Sequence, residues 1–249
     1  SLQFESLLNS LIVNAIINKK IPLSLIHGVT GSGKTEVYKN LIQHAVDSGQ
    51  QALLLVPEIS LTPQFVKYFK GNFENLALVH SKISEGEKAR QWKGIHNGEI
   101  SLVIGSRSAL FSPFKNLGVV IMDEEHEWTY KQEQAPRYNT RDLLFEINKL
   151  TKAQIIFGSA TPSIEIMQMA KNEEIKLFEL NERVLKTEMP KIEIVDMREE
   201  LKKQNFTMFS ELLLEKIQEK LDKKEQILLF LNRRGSASAT VCRDCGEAS

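Results

Sequence analysis

Short apolar runs alternate along the chain with segments in which apolar residues recur at helical spacing. Most of the short runs are nearly continuous in apolar residues, which is typical of strands whose two faces are both covered. We expect strands at 23–28, 51–57, 76–81, 101–106, 118–124 and 154–160. This repeated strand–helix order predicts an open α/β fold, with a mainly parallel sheet and crossover helices on both faces.

Helices are predicted between these strands, at 34–48, 60–70, 84–97 and 140–150. Gly49, Gly71 and Gly98 follow the first three, and a glycine in that place is typical of a left-handed residue that ends a helix. The apolar segment at 7–17 is interrupted by polar residues and has no basic leader. It therefore predicts an amphipathic helix rather than a membrane span or a signal peptide.

The pattern changes near residue 180. The next residues are polar and charged, which favours a linker, and beyond it we expect a strand at 192–197, a helix at 209–224 and a strand at 226–232. This organisation predicts three segments, namely a complete domain over 1–180, a linker over 181–191 and the beginning of a second domain over 192–249.

Composition narrows the functional classes. Lys and Arg together number 32, as do Asp and Glu, so the net charge is zero and no overall positive field would attract nucleic acid. Any nucleic-acid binding would need a local groove. The two cysteines, Cys242 and Cys245, exclude a disulfide framework and suit a reducing compartment. We therefore expect a cytoplasmic protein without a membrane partner.

Residues 28–35, GVTGSGKT, form a candidate phosphate loop. They fit the pattern G-x-x-x-x-G-K-[ST] between a predicted strand and a predicted helix, where backbone N–H groups and the helix N-terminus bind phosphates. Lys34 would contact the β- and γ-phosphates of ATP, and the Thr35 hydroxyl would bind Mg²⁺. The other predicted ATP-binding residues are Gly28, Val29, Thr30, Gly31, Ser32 and Gly33. The alternative is a flexible glycine turn before an ordinary helix.

Residues 123–126, DEEH, form an acidic turn after an apolar strand. Carboxylates at the carboxyl end of such a strand lie at the edge where α/β sheets bind ligands. Asp123 would hold Mg²⁺, Glu124 would orient or deprotonate the attacking water, and His126 completes the predicted catalytic group with Lys34. We expect this turn to meet the phosphate loop around one magnesium–triphosphate. The alternative is a solvated acidic turn.

Six segments occur in an order and spacing that carry a family resemblance: GVTGSGKTEVY, LVPEISLTPQ, GSRSALFSPF, DEEHEWTYKQEQAPRYNTRD, GSATPS and FLNRRG. The chain resembles helicase superfamily 2, and most closely its PriA-type family of bacterial replication-restart helicases. The resemblance implies a RecA-like lobe plus the start of a second RecA-like lobe. It also implies an ATP-dependent 3′→5′ DNA helicase that acts at stalled or collapsed forks in primosome assembly. The implied partners are branched and single-stranded DNA, single-stranded DNA-binding protein and primosome loading factors, near the nucleoid.

In that family context, several loops after strands are expected to contact DNA. Residues 128–138, the aromatic loop, offer rings on which bases stack at about 1–3 kcal/mol each, and its cations can meet phosphates. The alternative is that Trp128 and Tyr130 pack against the domain's own helices. The predicted DNA and coupling residues are Pro57, Glu58, Ser106, Arg107, Ser108, Trp128, Tyr130, Lys131, Arg137, Tyr138, Ser159 and Thr161. Of these, Ser159 and Thr161 would hydrogen-bond the acidic turn, and the alternative for their loop is a strand-to-helix turn capped by Ser163.

Two further predictions follow from the resemblance. Cys242 and Cys245 would supply half of a tetrahedral Zn²⁺ site in the full-length protein, the alternative being two unligated thiols. Gln3 lies where the family places an adenine-reading glutamine, although an ordinary surface glutamine is the alternative.

The family's last motifs, which carry an arginine finger, would lie beyond residue 249. Because losing such a finger costs about 10³–10⁵ in rate, we expect this polypeptide alone to bind nucleotide, hydrolyse it poorly and unwind nothing. The competing functions are a fork-binding scaffold with a dispensable ATPase, another superfamily 2 DNA translocase, and a P-loop kinase acting on a small metabolite.

Overall fold

The computed structural model describes residues 2–18, 21–80, 83–184 and 190–230. Two compact units can be distinguished, residues 1–187 and residues 188–249. None of the helices in the described ranges has the length and apolar character needed to span a membrane.

The first unit is built on a parallel sheet. Seven strands within the described residues form it: β1 (Leu23–Gly28), β2 (Gln51–Leu55), β3 (Leu76–Val79), β4 (Leu102–Gly105), β5 (Leu117–Asp123), β8 (Gln154–Ser159) and β9 (Lys176–Leu180). Two short strands, β6 (Lys131–Gln132) and β7 (Tyr138–Asn139), pair separately as an antiparallel hairpin. The order across the large sheet is β3-β4-β2-β5-β8-β1-β9, and each neighbouring pair is parallel. All seven carboxyl ends therefore lie at one edge.

Helices cover both faces of this sheet. Their bounds are α1 (Leu2–Asn18), α2 (Lys34–Asp47), α3 (Pro63–Lys70), α4 (Glu85–Asn97), α5 (Thr140–Thr151) and α6 (Ile164–Lys171). Buried residues of α1, α2 and α3 join one core cluster, and those of α4, α5 and α6 join the other. Strand residues alternate between the two clusters, as Leu53 and Leu54 do, so both faces of the sheet are buried from solvent. The mainly parallel α/β fold predicted from the apolar runs is confirmed.

The strands and helices predicted for the first unit are present, but β6, β7 and β9 were not predicted and one helix end differs. All six predicted strands occur within a few residues of their predicted bounds, but β9 was not predicted because its residues are partly exposed at the sheet edge and do not form an apolar run. Gly49 and Gly98 adopt positive φ angles of 73° and 80°, as predicted. The prediction for Gly71 is wrong: its φ is −72°, because α3 ends in a right-handed turn there.

The second unit contains α7 (Met197–Lys202) and α8 (Glu211–Asp222) within its described residues. The predicted helix at 209–224 is confirmed. The strand predicted at 192–197 is wrong, since residues 192–196 have no regular secondary structure and α7 begins at Met197; no strand occurs over the described part of 226–232. A strand requires a partner for its backbone N–H and C=O groups, and neither segment pairs with any described residue.

Candidate nucleotide and nucleic-acid site

The phosphate loop leaves the carboxyl end of β1 and enters α2. Gly31 and Gly33 have φ angles of 77° and 88°, a left-handed conformation that lets the backbone curl at little cost. A Cβ on Gly28 would lie 2.5 Å from Ser32 Oγ and 3.0 Å from Leu180 Cβ, so a larger residue would crowd the loop. Lys34 is buried and donates from Nζ to the Gly28 carbonyl at 2.6 Å. The loop is therefore tightly curled, and the Lys34 ammonium group lies inside it.

The loop has the donors that a triphosphate requires. Ser32 Oγ is buried and has no hydrogen-bond partner among the described residues, which leaves a polar atom available to a ligand. The loop precedes the N-terminus of a 14-residue helix, where free N–H groups and the helix dipole favour an anion. These features fit the polyphosphate of a nucleotide.

The acidic turn begins at the end of β5, where two tyrosines hold Asp123. Tyr38 of α2 donates its hydroxyl to Asp123 Oδ1 at 2.9 Å, and Tyr130 donates its hydroxyl to the Asp123 carbonyl at 2.7 Å. Burial, followed by the nearby charge of Glu124, raises the pKa of Asp123 to about 6, although Tyr38 and Lys34 oppose the rise. A half-buried carboxylate that resists ionisation is suited to a cation, whose charge favours the ionised form.

Strand β8 lies between the two groups. Asp123 of β5 and Ile26 of β1 both pair with Gly158, so they lie at the same level on either side of it. Neighbouring strands are about 4.8 Å apart, which separates these two positions by about 10 Å. The phosphate loop and the acidic turn thus meet at one sheet edge, and Tyr38 bridges them by passing over Gly158, where a Cβ would lie 1.7 Å from its hydroxyl oxygen.

The donor set also fits a magnesium ion shared with a nucleotide. Within the described ranges, no three His, Cys, Asp or Glu side chains are grouped to hold a metal by themselves. Mg²⁺ in phosphate sites needs only one or two carboxylates, because waters and phosphate oxygens fill the remaining positions. Asp123 and the Thr35 hydroxyl, at the start of α2, are the side chains that could supply this role.

The loop after β8 is bonded to the acidic turn. His126 Nδ1 lies 2.7 Å from Ser159 Oγ, and His126 Nε2 lies 3.5 Å from Thr161 Oγ1. The hydrogen bond that the sequence suggested between this loop and the acidic turn is therefore present. Ser163 also caps α6 with its side chain, so the two alternatives for this loop coexist. Any role of Ser159 and Thr161 in coupling hydrolysis to movement stays a prediction.

A cavity of about 500 Å³ opens at the same sheet edge, beyond β2 and β4. Most of the residues predicted to contact DNA line it: Pro57, Glu58, Ser106, Arg107, Ser108, Tyr130 and Tyr138. Arg107 donates to the carbonyls of Thr129 at 2.6 Å and Lys131 at 3.4 Å, so its guanidinium joins the loop after β4 to the aromatic loop. Arg107 also hydrogen-bonds the side chain of Tyr138: burial raises the pKa of that hydroxyl, and Arg107 opposes the rise.

The aromatic loop has one ring in the core and one in solvent. Tyr130 is only 3% exposed, so the prediction that it offers a face for base stacking is wrong; its ring packs in the core and its hydroxyl binds the Asp123 carbonyl. Trp128 is 71% exposed, so the alternative that it packs against the domain's own helices is wrong. Tyr138 is half-buried and meets the exposed ring of Phe111 edge-on at 5.2 Å.

The other predicted residues are placed as follows. Lys131 and Arg137 are exposed on the aromatic loop, and Arg137 donates to the Glu133 carbonyl at 3.1 Å. Gln3 lies in α1, and its adenine-reading role stays a prediction. Cys242 and Cys245 lie outside the described residues.

Sequence reasoning missed two residues that shape the site. Tyr38 ends the GVTGSGKTEVY segment but was given no role, and only its spacing of four from Lys34 on α2 indicates that it faces the same way. Glu125 was not given a role, because its neighbours in the acidic turn carry the recognised chemistry. It is buried and accepts two hydrogen bonds from Ser163.

Comparison with known proteins finds relatives of this chain. Three curated relatives are each a replication restart protein PriA. That of Bacillus subtilis is 49% identical over 89% of this chain, that of Synechocystis is 43% identical over 89%, and that of Rickettsia felis is 42% identical over 93%. The chain spans only 28%, 27% and 36% of their respective lengths.

Solved structures resemble the fold. The Pyrococcus furiosus Hef helicase domain aligns with a TM-score of 0.52 at 18% identity, over 70% of this chain and 37% of that one. The helicase MrfA bound to DNA and AMPPNP aligns with a TM-score of 0.52 at 16% identity, over 70% of this chain and 27% of that one. The family model for DEAD/DEAH box helicases matches residues 9–169, which contain the phosphate loop, the acidic turn and the loop after β8. This chain belongs to the DEAD/DEAH box helicase family.

Proposed function

We propose that this chain is the nucleotide-binding part of an ATP-dependent DNA helicase that restarts replication at stalled or collapsed forks, with 3′→5′ polarity. One observation carries the proposal: the phosphate loop and the acidic turn meet at one edge of the sheet, separated by β8 alone. The similarity to replication restart protein PriA supports the choice of pathway. In this scheme residues 1–180 are the first RecA-like lobe, and residues 192–249 begin the second.

The side chains of the site divide the work of ATP hydrolysis. The phosphate loop binds the triphosphate through backbone N–H groups, and Lys34 exchanges its bond to the Gly28 carbonyl for one to phosphate. Asp123 and Thr35 hold Mg²⁺, which when bound neutralises charge on the phosphates. Glu124 orients the attacking water, and His126 fixes the loop that carries Ser159 and Thr161.

Single-stranded DNA is proposed to follow the cavity at the same sheet edge. Arg107 and Ser108 contact phosphates there, and Trp128 stacks on a base from its exposed position. Lys131 and Arg137 add local positive charge, which a chain of zero net charge requires. The aromatic loop reaches the nucleotide site through Tyr130, whose hydroxyl binds the Asp123 carbonyl, so displacement of the loop would shift Asp123.

The remaining parts of the proposal concern the whole protein. Branched DNA is its substrate, and single-stranded DNA-binding protein and primosome loading factors are its partners near the nucleoid of the cytoplasm. Cys242 and Cys245 contribute two of the four ligands of a Zn²⁺ ion in the full-length protein.

The test uses the full-length protein that carries this sequence. ATP hydrolysis should require Mg²⁺, rise on addition of single-stranded DNA and be abolished by Lys34→Ala. A hydrolysis rate indifferent to DNA would favour a P-loop kinase instead. If cells carrying Lys34→Ala still restart replication although unwinding is lost, the protein acts mainly as a fork-binding scaffold.

A further inference from the structure

Glu125 is the unusual member of the acidic turn. It is 4% exposed, whereas its neighbours Glu124 and His126 are both partly accessible. Both oxygens of its carboxylate accept hydrogen bonds from one residue: Ser163 donates its backbone N–H to Oε1 at 2.6 Å and its hydroxyl to Oε2 at 2.9 Å. In the described part of the chain no ion pair compensates its charge. Burying a carboxylate without a cationic partner is costly, and a solvated acidic turn would avoid that cost.

The residue before it is strained. Glu124 has a φ of 47°, the left-handed region that a non-glycine residue with a Cβ enters only when its surroundings enforce it. Bonds on both sides enforce it here. Tyr130 binds the carbonyl of Asp123, and the Glu125 N–H donates to the Gly158 carbonyl at 3.1 Å. The side chain of Glu125 then ties the turn to the start of α6, which fixes the direction in which Glu124 leaves the backbone.

Ser163 is the hub of this arrangement. Its hydroxyl oxygen caps α6 by accepting the Ile166 N–H at 3.4 Å, and it accepts Arg141 Nη1 at 3.0 Å. Arg141 lies in the first turn of α5, directly after the aromatic loop, and also pairs with Glu165 at 3.3 Å. Three segments therefore converge on one hydroxyl group: the acidic turn, the start of α5 and the start of α6.

The loop at 159–163 is held at both ends by consecutive residues of the acidic turn. His126 holds Ser159 at its beginning, and Glu125 holds Ser163 at its end. Because the loop is bonded to the acidic turn at two points, we expect displacement of either end to misplace Glu124.

We propose that Glu125, Ser163 and Arg141 form a clamp that positions Glu124 for ATP hydrolysis, and that none of the three touches the nucleotide. The clamp rests on the proposed function, because Glu124 has a task only if the site hydrolyses ATP. All three are positioning residues, so loss of the clamp should lower kcat and leave nucleotide affinity nearly unchanged.

The test compares two serines with the same capping role in the full-length protein. Ser163 caps α6, and Ser84 caps α4 by accepting the Glu87 N–H, away from the site. Ser163→Ala should lower kcat about 10–100-fold, the usual range for removing a residue that orients a ligand-binding one, with nucleotide affinity within about 3-fold. Ser84→Ala should leave both unchanged, and Ser163→Thr, which keeps the hydroxyl and the cap, should restore kcat.

Glu125→Gln provides a second test that does not alter the cap. The glutamine oxygen still accepts the Ser163 N–H, but its NH₂ group cannot accept the Ser163 hydroxyl. A fall in kcat is expected here too. Wild-type kcat in both Ser163→Ala and Glu125→Gln would overturn the clamp while leaving the ATPase assignment intact.

Hydrogen exchange gives a readout that does not depend on turnover. Peptides covering the acidic turn should exchange faster in Ser163→Ala than in the wild type or Ser84→Ala. Unchanged exchange would also overturn the clamp. A wild-type protein that fails to hydrolyse ATP with Mg²⁺ and DNA would instead refute the proposed function, and faster exchange in Ser163→Ala would still show that the bonds hold the turn.

Discussion

At the scale of single residues, Asp123 is suited to bind a cation, but its ionised form lowers the free energy of unfolding when no ligand is bound. Its pKa is raised from 3.8 to about 6, chiefly by burial. Because the folded state holds the proton more tightly than the unfolded state, stability contributed by the protonated carboxyl is present below pH 3.8 and is lost as pH rises through 6. A difference of that size corresponds to about 3 kcal/mol of unfolding free energy, an upper value.

Asp123→Asn should therefore stabilise the metal-free protein at pH 8 by about 1–3 kcal/mol and have little effect at pH 4. Asparagine keeps an oxygen that accepts from Tyr38 and removes the titration. The measurement is urea unfolding of both proteins across this pH range. Equal stabilisation at pH 4 and pH 8 would show that packing, and not ionisation, explains the gain.

Tyr130 shows where residue-level prediction from the sequence fails. The aromatic and cationic composition of its loop correctly indicated an exposed ring at Trp128, but the same pattern gave no means of separating Trp128 from Tyr130. Burial of Tyr130 depends on a hydroxyl that can reach the Asp123 carbonyl seven residues earlier. Such a contact is set by the turn between them and has no periodic signal.

The two rings should consequently give different phenotypes in the full-length protein. Trp128→Ala should weaken single-stranded DNA binding by about 1–3 kcal/mol, the value of one stacked base. Tyr130→Phe keeps the packing but leaves the Asp123 carbonyl without its donor, so it should reduce DNA stimulation of ATP hydrolysis several-fold at saturating DNA. Fluorescence anisotropy and ATPase titrations separate these effects. Loss of DNA affinity in Tyr130→Phe would mean that Tyr130 contacts the strand after all.

At the scale of elements, the apolar runs were sufficient wherever a strand is covered on both faces. β2, for example, is buried along its whole length, and its run is unbroken. Among the residues that the structure describes, β9 pairs only with β1 at the sheet edge, so partial exposure removes its signal. The segment at 192–197 shows the converse error, because its apolar residues Ile192 and Ile194 are exposed and no described residue pairs with its backbone.

Gly158 of β8 illustrates how an element constrains the site. Tyr38 must cross this strand to reach Asp123, and a Cβ at Gly158 would lie 1.7 Å from its hydroxyl oxygen and 2.7 Å from the adjoining ring carbon. Gly158→Ala should destabilise the protein by about 1–3 kcal/mol through overpacking. Tyr38→Leu, which shortens the side chain, should cancel most of that penalty in a double-mutant cycle. If the two losses of stability are additive, the strain caused by Gly158→Ala does not come from contact with Tyr38.

At the scale of the whole molecule, we expect the first unit to fold without the second. Every buried residue of the two core clusters precedes residue 181, and the seven-stranded sheet ends with β9 at Leu180. The segment just after β9 also supports the phosphate loop, since the Leu180 carbonyl accepts the Val29 N–H at 3.3 Å and the Val184 N–H donates to the Gly31 carbonyl at 2.9 Å. The last residue that the first unit needs in order to fold and to hold its phosphate loop should therefore lie between Leu180 and residue 187.

Two truncations test this boundary. A polypeptide of residues 1–187 should unfold in urea with a free energy within about 1 kcal/mol of that of the same unit in the full chain, and should bind MgATP with similar affinity. A polypeptide of residues 1–171 lacks β9 and both bonds to the phosphate loop, so edge pairing along β1 is lost. It should be less stable by several kcal/mol, as each unpaired buried backbone group costs about 1–3 kcal/mol, and should not bind nucleotide. If cutting after residue 187 were as damaging as cutting after residue 171, the nucleotide site would depend on the second unit, and the first unit would not be an autonomous lobe.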